Sequence, residues 1–321
     1  MNADRTVTLK AEEASNSDER APSRGAHPRG NGTLAAAAPA TSLSSAAIGL
    51  LRRFAPGIFW GTVSIGLFAG LWEAAWAVGW ANPLLLPPPH IFLRNFALQG
   101  RFFSLATRMG NAPASAILLS VTSTIGITTI RVLIGLFIGF VISLTVGVMI
   151  RYFQIFGNLT LPMITLLAPI SPVAWFPVAI FAFGIGNVAA VFLVFIALFF
   201  IMTLATISEI DQVNLAYLNV ARIMGASRWQ ILFYVILPAI LPGLFLVLRL
   251  NLFAAWMIVL IGEAIGVGSG LGQVVMLARN TFNSSLTFFT MTLIGIVGYS
   301  LDIVLLQVQR RLLYWVPQDA G

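Results

Sequence analysis

The 321-residue chain is 58% hydrophobic and 9% charged, carries a net charge of +7 and has no cysteine. Soluble domains contain about 25% charged residues, so the composition excludes a soluble globular protein and indicates an all-α integral membrane protein. Without cysteine there are no disulfides or thiolate metal sites, and two histidines are too few for an imidazole metal cluster.

The first 46 residues are rich in Ala, Ser, Gly, Pro and charge, and contain almost no bulky apolar side chains. Such a segment cannot bury enough apolar surface to fold. It also lacks the basic start and early apolar run of a signal peptide. We therefore predict a disordered cytoplasmic tail, residues 1–46, followed by a transmembrane domain, residues 47–321.

Six apolar runs are long enough to cross a bilayer, which takes about 20 residues. The predicted spans are Gly57–Trp80, Val132–Ile150, Gly157–Phe183, Ala189–Ile207, Leu237–Ile261 and Phe288–Leu306. The Ser- and Thr-rich segment Ala114–Ile130 is predicted to be an interfacial helix or an extension of the second span. The alternative, a seventh span, is disfavoured because it would place Arg151 outside the cell.

The arginines are scattered between apolar runs, which is typical of the positive-inside bias of membrane proteins and not of nucleic-acid binding. With six spans and both termini inside, the cytoplasmic arginines are Arg52, Arg53, Arg151, Arg222, Arg228, Arg310 and Arg311. The same topology places Arg131 near the outer interface. It places Glu73 and Glu263 at outer helix ends, where we expect them to act as interfacial anchors.

A polar segment, residues 217–230, joins the fourth and fifth spans. Gly225 permits a bend between two short helices, and small side chains on one face would let the first lie in a cleft of a partner protein. The residues expected to make or shape this contact are Ala221, Arg222, Gly225, Ala226, Ser227, Arg228 and Trp229. The alternative is a loop helix that lies on lipid headgroups.

A proline-rich run, residues 169–177, occupies the third predicted span and ends nearby in Phe183-Gly184-Ile185-Gly186. Prolines remove backbone donors and interrupt helices. At membrane depth this is tolerated only where protein or a water-filled path satisfies the freed groups. We therefore predict that the run lines a translocation pathway, or else provides a kink needed only for packing. The candidate residues are Pro169, Pro172, Trp175 and Pro177.

Two charged residues interrupt the last two spans. At 1.5 Å per residue, Arg249 lies about 16 Å from the start of its helix and Asp302 about 12 Å from the end of its own, so their depths are similar. We predict a structural ion pair between Arg249 and Asp302. The alternative role for Arg249 is to attract an anion in the pathway.

These features resemble the permeases of binding-protein-dependent ABC importers. Their cytoplasmic signature is Glu-Ala-Ala, three residues, Gly, nine residues, Ile, one residue, Leu-Pro. The corresponding residues are Asn219, Val220, Ala221, Gly225, Val235, Leu237 and Pro238, so that the Glu, the first Ala and the Ile are replaced. The proline-rich run, Leu86-Pro87-Pro88-Pro89 and Ala264–Asn280 resemble the nitrate, sulfonate, taurine and bicarbonate branch, and the resemblance covers roughly residues 57–315.

The resemblance implies the MetI-like architecture of type I ABC importers, with six transmembrane helices, in the bacterial inner membrane. It implies a permease subunit for a small anionic solute, with a coupling helix at about residues 217–230. The implied partners are a second permease copy (a homodimer), a cytoplasmic ABC ATPase dimer, an extracytoplasmic substrate-binding protein and membrane lipid. ATP and Mg²⁺ would bind to the ATPase, and no cofactor to this chain.

The residues themselves agree with a transport role in which a partner protein supplies the energy. The one lysine, Lys10, does not follow the glycines of a P-loop, and the chain offers no set of residues suited to catalysis. The alternative function is a stand-alone secondary transporter or channel. Such proteins usually contain internal repeats, and the halves of this sequence show no convincing repeat.

Overall fold

The computed structural model describes residues 43–80, 82, 86–110 and 112–315. The predicted tail, residues 1–46, therefore lies outside the described residues except for its last four, which are helical. The chain divides into two units. Residues 1–62 form the first, represented here by the start of one helix, and residues 63–321 form the second.

The described residues are helical and contain no strand. The first helices are α1 (Leu43–Ala77), α2 (Pro89–Arg94), α3 (Phe96–Gly100), α4 (Leu105–Met109), α5 (Ala114–Tyr152), α6 (Gln154–Leu167) and α7 (Phe176–Phe183). The others are α8 (Asn187–Asp211), α9 (Leu215–Ile223), α10 (Arg228–Ile231), α11 (Leu237–Gly262), α12 (Leu271–Asn280) and α13 (Ser284–Leu312). Two 3₁₀ turns cover Arg101–Phe103 and Pro172–Trp175, and two π-helical turns cover Leu232–Ile236 and Glu263–Val267.

Four helical runs among the described residues are long and apolar enough to cross a membrane. They are Ala114–Tyr152, Asn187–Asp211, Arg228–Val267 and Ser284–Leu312, and they contain the second, fourth, fifth and sixth predicted spans. A fifth candidate is the bent pair formed by α6 and residues 172–183. Together with α1, which covers most of the first predicted span, these runs are consistent with six transmembrane segments.

The third predicted span, Gly157–Phe183, is not one continuous helix. α6 ends at Leu167, and the helical segment that begins at Pro172 is bent from it by 102°. Pro172 and Pro177 each lie in the first turn of their helical segments, where a missing N–H removes no intrahelical bond. The prolines therefore lie at the break between the two helices, which agrees with the interruption that the proline-rich run predicted.

α5 is a single helix of 39 residues, about 58 Å long at 1.5 Å per residue. Segment 114–130 is thus an extension of the second span, as one alternative predicted, and the separate interfacial helix was wrong. Glycines on α5 let α8 approach closely. A Cβ on Gly135 would lie 2.5 Å from Cβ of Val194, and one on Gly147 would lie 2.7 Å from Cβ of Thr206.

The apolar core lies between α5, α8 and α11. Its fully buried members include Val132, Leu193, Leu198, Leu244 and Val259. This core holds the long helices together, and the shorter segments that could carry function lie at their ends.

Candidate functional site

The coupling segment, residues 217–230, consists of α9, a bend and α10. The Asn214 side chain accepts a hydrogen bond from Ala216 N (2.9 Å) and so caps α9. Gly225 follows with φ of 78°, a left-handed conformation that favours glycine. Ser227 Oγ accepts from Gln230 N, and Gln230 Oε1 accepts from Ser227 N (2.7 Å), which forms the capping box that starts α10.

The two faces of α9 differ from the expectation drawn from the sequence. Ala221 is only 9% exposed and belongs to this chain's own core, with Ala226 half-buried beside it. The small side chains therefore face inward and do not form a low surface toward a partner. The outward face carries apolar side chains that the sequence reasoning missed: Tyr217, Val220, Ile223 and Met224.

The remaining predicted residues of the segment have distinct environments. Arg222, Ser227 and Arg228 are exposed. Trp229 is turned toward the transmembrane helices, because its ring stacks on Tyr152 with centroids 6.4 Å apart and on Phe233 at 6.2 Å. Trp229 thus contacts the chain itself on one side, while 59% of the residue remains exposed.

The end of the sequence motif coincides with an irregular turn. Residues 232–236 form a π-helical turn, and Leu237 and Pro238 open α11 directly after it. Proline cannot donate a backbone hydrogen bond, so a change in the hydrogen-bond ladder is expected beside it. The Leu-Pro pair therefore marks the point where α10 continues into the membrane helix.

The candidate pathway residues lie at the bend between α6 and α7. Pro169 and Pro177 are exposed, whereas Pro172 and Trp175 are half-buried. The Trp175 ring lies 6.1 Å from that of Phe200 on α8, which anchors the bend to the core. The bend is therefore fixed on one side and open on the other.

Arg249 on α11 and Asp302 on α13 lie together. Nε of Arg249 donates to Oδ1 of Asp302 at 2.6 Å, and Nη2 donates to Oδ2 at 2.8 Å. The carboxylate is buried, with 8% of its side chain exposed, while 36% of the arginine side chain is exposed. The pair thus joins two helices and leaves part of the guanidinium accessible.

A second intramembrane pair was not predicted. Arg131 Nη1 donates to Glu263 Oε1 at 2.6 Å, with 3% and 0% of the two side chains exposed. Arg131 also donates to Asn187 Oδ1 and to the carbonyl and hydroxyl oxygens of Ser269. The role predicted for Glu263, an exposed interfacial anchor, was therefore wrong, whereas its position at a helix end is as predicted. The position of Arg131 near the outer interface stays a prediction. We call this group, with Thr128, the polar cluster.

The glycine-rich segment completes the polar cluster. Glu263 Oε2 accepts from Gly272 N at 3.0 Å, and Glu263 also accepts from Thr128 Oγ1. Gly268 and Gly270 have φ of 72° and 107°, and a Cβ on Gly270 would overlap the Glu263 carboxylate. These residues form a tight turn that closes around the buried carboxylate.

Glu73, the other predicted anchor, lies on α1 and bonds to His90 on α2. His90 N donates to Glu73 Oε1 at 3.1 Å, and His90 Nδ1 lies 2.9 Å from the same oxygen. Both side chains are partly exposed. The pair ties α2 to α1.

Residues 131–314 match the protein family described as "Binding-protein-dependent transport system inner membrane component". The chain belongs to this family. The match covers more than half of the 321 residues and includes the coupling segment, the proline-rich bend and both intramembrane ion pairs.

Several characterised permeases resemble the chain. The taurine transport system permease protein TauC of Escherichia coli K12 is 28% identical over 257 residues, which cover 79% of this chain and 90% of the relative. The nitrate import permease protein NrtB of Synechococcus elongatus is 29% identical over 189 residues, covering 58% and 65%. The bicarbonate transport system permease protein CmpB of the same organism is 30% identical over 184 residues, covering 57% and 66%.

Among solved structures, an inward-facing conformation of the MetNI methionine ABC transporter is similar, with a TM-score of 0.51 and 21% identity. The match covers 60% of this chain and 95% of that chain. At this identity the likeness establishes the fold alone, namely the type I importer permease fold.

Family membership establishes what kind of protein this permease is. It is a membrane subunit of an ABC importer and a transporter component, not an enzyme. Permeases of this family work with a separate ATPase and with a substrate-binding protein. A stand-alone transporter or channel is therefore the wrong alternative.

Proposed function

We propose that the permease imports a small anionic solute of the kind that includes taurine, nitrate and bicarbonate. The named relatives carry these solutes. The net charge of +7 is compatible with an anionic cargo. The partly exposed guanidinium of Arg249 supplies a local positive group inside the membrane, although Asp302 offsets much of its charge.

The outward face of α9 is the docking surface for the ATPase in this proposal. The observation that carries it is the row formed by Tyr217, Val220, Ile223 and Met224, whose apolar side chains are exposed at the end of the membrane helices. Exposed apolar groups that lie together mark a protein or membrane contact, and membership of the importer permease family favours the ATPase as the partner. Arg222 and Arg228 are also exposed in this segment and would add polar contacts to the ATPase.

The pathway follows the bend between α6 and α7. Pro169, Pro172, Trp175 and Pro177 lie along it, at a bend of 102° where the helical hydrogen-bond ladder is interrupted. Backbone of this kind suits a water-filled surface better than lipid. Selection of the solute then rests largely with the binding protein, because most pathway side chains are apolar.

The complete transporter would contain two copies of this permease and two ATPase subunits. Both termini and the coupling segment would face the cytoplasm of a bacterial cell, and the binding protein would dock on the opposite side. ATP and Mg²⁺ would bind to the ATPase. Closure of the ATPase dimer would displace the two coupling segments and change access to the pathway.

The docking surface is tested by Ile223→Asp, which places a charge in the centre of the exposed apolar row. The ATPase subunit should co-purify with wild-type permease but be lost from the variant, since an unpaired charge at an interface is costly. Tyr314→Asp is the control, because Tyr314 is equally exposed but lies beyond α13. Equal recovery of the ATPase with wild type and Ile223→Asp would reject α9 as the docking surface.

A further inference from the structure

Tyr152 lies outside the family's signature but contacts the coupling segment. It is the last residue of α5, and its ring stacks on Trp229 of α10 with a 16° angle between the planes. Trp229 in turn stacks on Phe233 at 23°. Aromatic pairs at such distances contribute about 0.5–1.5 kcal/mol beyond the apolar area that they bury.

An open groove lies beside the contact between Tyr152 and Trp229. The groove has a volume of about 410 Å³ and lies between the last turns of α5 and the residues that follow Trp229. Leu144, Val148 and Met149 line one wall, and Leu232 and Leu237 line the other. Because open space separates the two walls, the stack of Tyr152 on Trp229 is a bridge between them.

The backbone at both ends of this bridge belongs to a helix. Trp229 lies within the capping box of Ser227 and Gln230, so that its backbone moves with the start of α10, although the residue is 59% exposed. Tyr152 belongs to a continuous helix that is packed closely on α8 through glycines such as Gly135 and Gly147. A displacement of the start of α10 can therefore reach α5 through this ring contact.

α5 then leads to the polar cluster. Arg131 lies 21 positions before Tyr152, about 32 Å along the helix at 1.5 Å per residue. It contacts Asn187, the first residue of α8, directly after the glycines that end the proline-rich bend. One helix thus joins the coupling segment to the element that fixes one end of the bend.

We propose that Tyr152 is a positioning residue that passes movement of the coupling segment into α5. The proposal rests on the proposed function, in which an ATPase displaces this segment. It assigns a role to an aromatic ring that neither the motif nor the docking surface includes. Coupling requires the ring of Tyr152 and does not require its hydroxyl.

The test compares Tyr152→Leu, Tyr152→Phe and Phe140→Leu in liposomes that contain permease, ATPase and binding protein. The measured quantity is solute taken up per ATP hydrolysed. Tyr152→Leu should lower this ratio about two- to tenfold, which corresponds to the energy of one aromatic pair. Tyr152→Phe, which keeps the ring, should have the wild-type ratio. Phe140→Leu is the matched control, because Phe140 is also on α5 and its ring contacts that of Phe245 on α11, with centroids 5.7 Å apart, away from the coupling segment.

Three outcomes would overturn the proposal. They are an unchanged ratio of solute to ATP in Tyr152→Leu, an equal fall of this ratio in Phe140→Leu, and a lowered ratio in Tyr152→Phe. If Tyr152→Leu does not assemble, Tyr152→Met gives the same comparison with a side chain that fills space without a ring. Absence of ATP-dependent uptake by the wild type would refute the proposed function, whereas coupled uptake insensitive to Tyr152 would refute this inference alone.

Discussion

The buried pair of Arg131 and Glu263 should be essential for stability. Glu263→Gln keeps the size of the side chain but removes its charge, so that Arg131 is left as a cation at 3% exposure with no carboxylate. The amide also replaces one acceptor oxygen by a donor. Glu263 uses one oxygen for Arg131 and the other for Gly272 N, so either orientation of the amide places two donors face to face.

The expected cost follows from burial. Breaking a buried ion pair by removing one partner costs about 3–5 kcal/mol, because the remaining charge is uncompensated. Arg151 and Asp211 provide a matched comparison, since they are also 2.6 Å apart but 56% and 46% exposed. Exposed pairs contribute about 0–1 kcal/mol. Asp211→Asn should therefore cost less than about 1 kcal/mol.

The assay is unfolding of the purified permease by sodium dodecyl sulfate, titrated into mild detergent and followed by near-ultraviolet circular dichroism. The apparent free energy of unfolding is compared for wild type, Glu263→Gln and Asp211→Asn. Glu263→Gln should fall well below the other two. Equal losses in the two variants would refute the argument that burial sets the value of the pair.

Two further predictions concern glycines. Gly225→Val should weaken co-purification of the ATPase, because a β-branched residue at φ of 78° costs about 1–2 kcal/mol or more. Gly225→Asn should retain most of the co-purification, since asparagine tolerates this conformation. Equal effects of the two substitutions would show that φ is not the cause. Gly135→Ala should destabilise by about 1–3 kcal/mol in the detergent titration, because its Cβ would lie 2.5 Å from Cβ of Val194. Gly126 lies on the same helix, and a Cβ there would have no neighbour within 4 Å, so Gly126→Ala should be neutral or stabilising. A similar loss of stability in Gly126→Ala would show that close packing is not the cause.

Much of the helical architecture could be predicted because hydropathy reports directly on membrane burial. The second, fourth, fifth and sixth predicted spans lie within long apolar helices. The prolines of the third span predict that its helix is broken, but they do not predict the angle between the two parts. The direction of a chain after a break depends on packing against α8, which local sequence does not encode.

The faces of the coupling segment were harder to predict. Spacing identified Ala221 and Gly225, but a helix of nine residues offers several faces, and small side chains suit close packing on either side. The structure assigns Ala221 to the core and Ile223 to the surface. Only the position of α9 against its own membrane helices decides between these orientations.

The polar cluster was missed although its signal was present. Arg131 and Glu263 each interrupt or border an apolar run, as Arg249 and Asp302 do. For the latter two, similar depths on adjacent helices suggested a pair. Arg131 was judged by topology alone and Glu263 by its closeness to a helix end. The turn at Gly268–Gly272 contacts both through Ser269 and Gly272 N, and such a contact between distant segments cannot be counted from residue numbers.

We expect this permease to move solute only when a separate ATPase acts on it. The most direct measurement is uptake of a labelled anion, drawn from taurine, nitrate and bicarbonate, into liposomes that contain the permease, with binding protein outside and ATP inside. Uptake should require the ATPase subunit and stop when it is omitted or when ATP is replaced by a non-hydrolysable analogue. The same rate of uptake without the ATPase would contradict the claim.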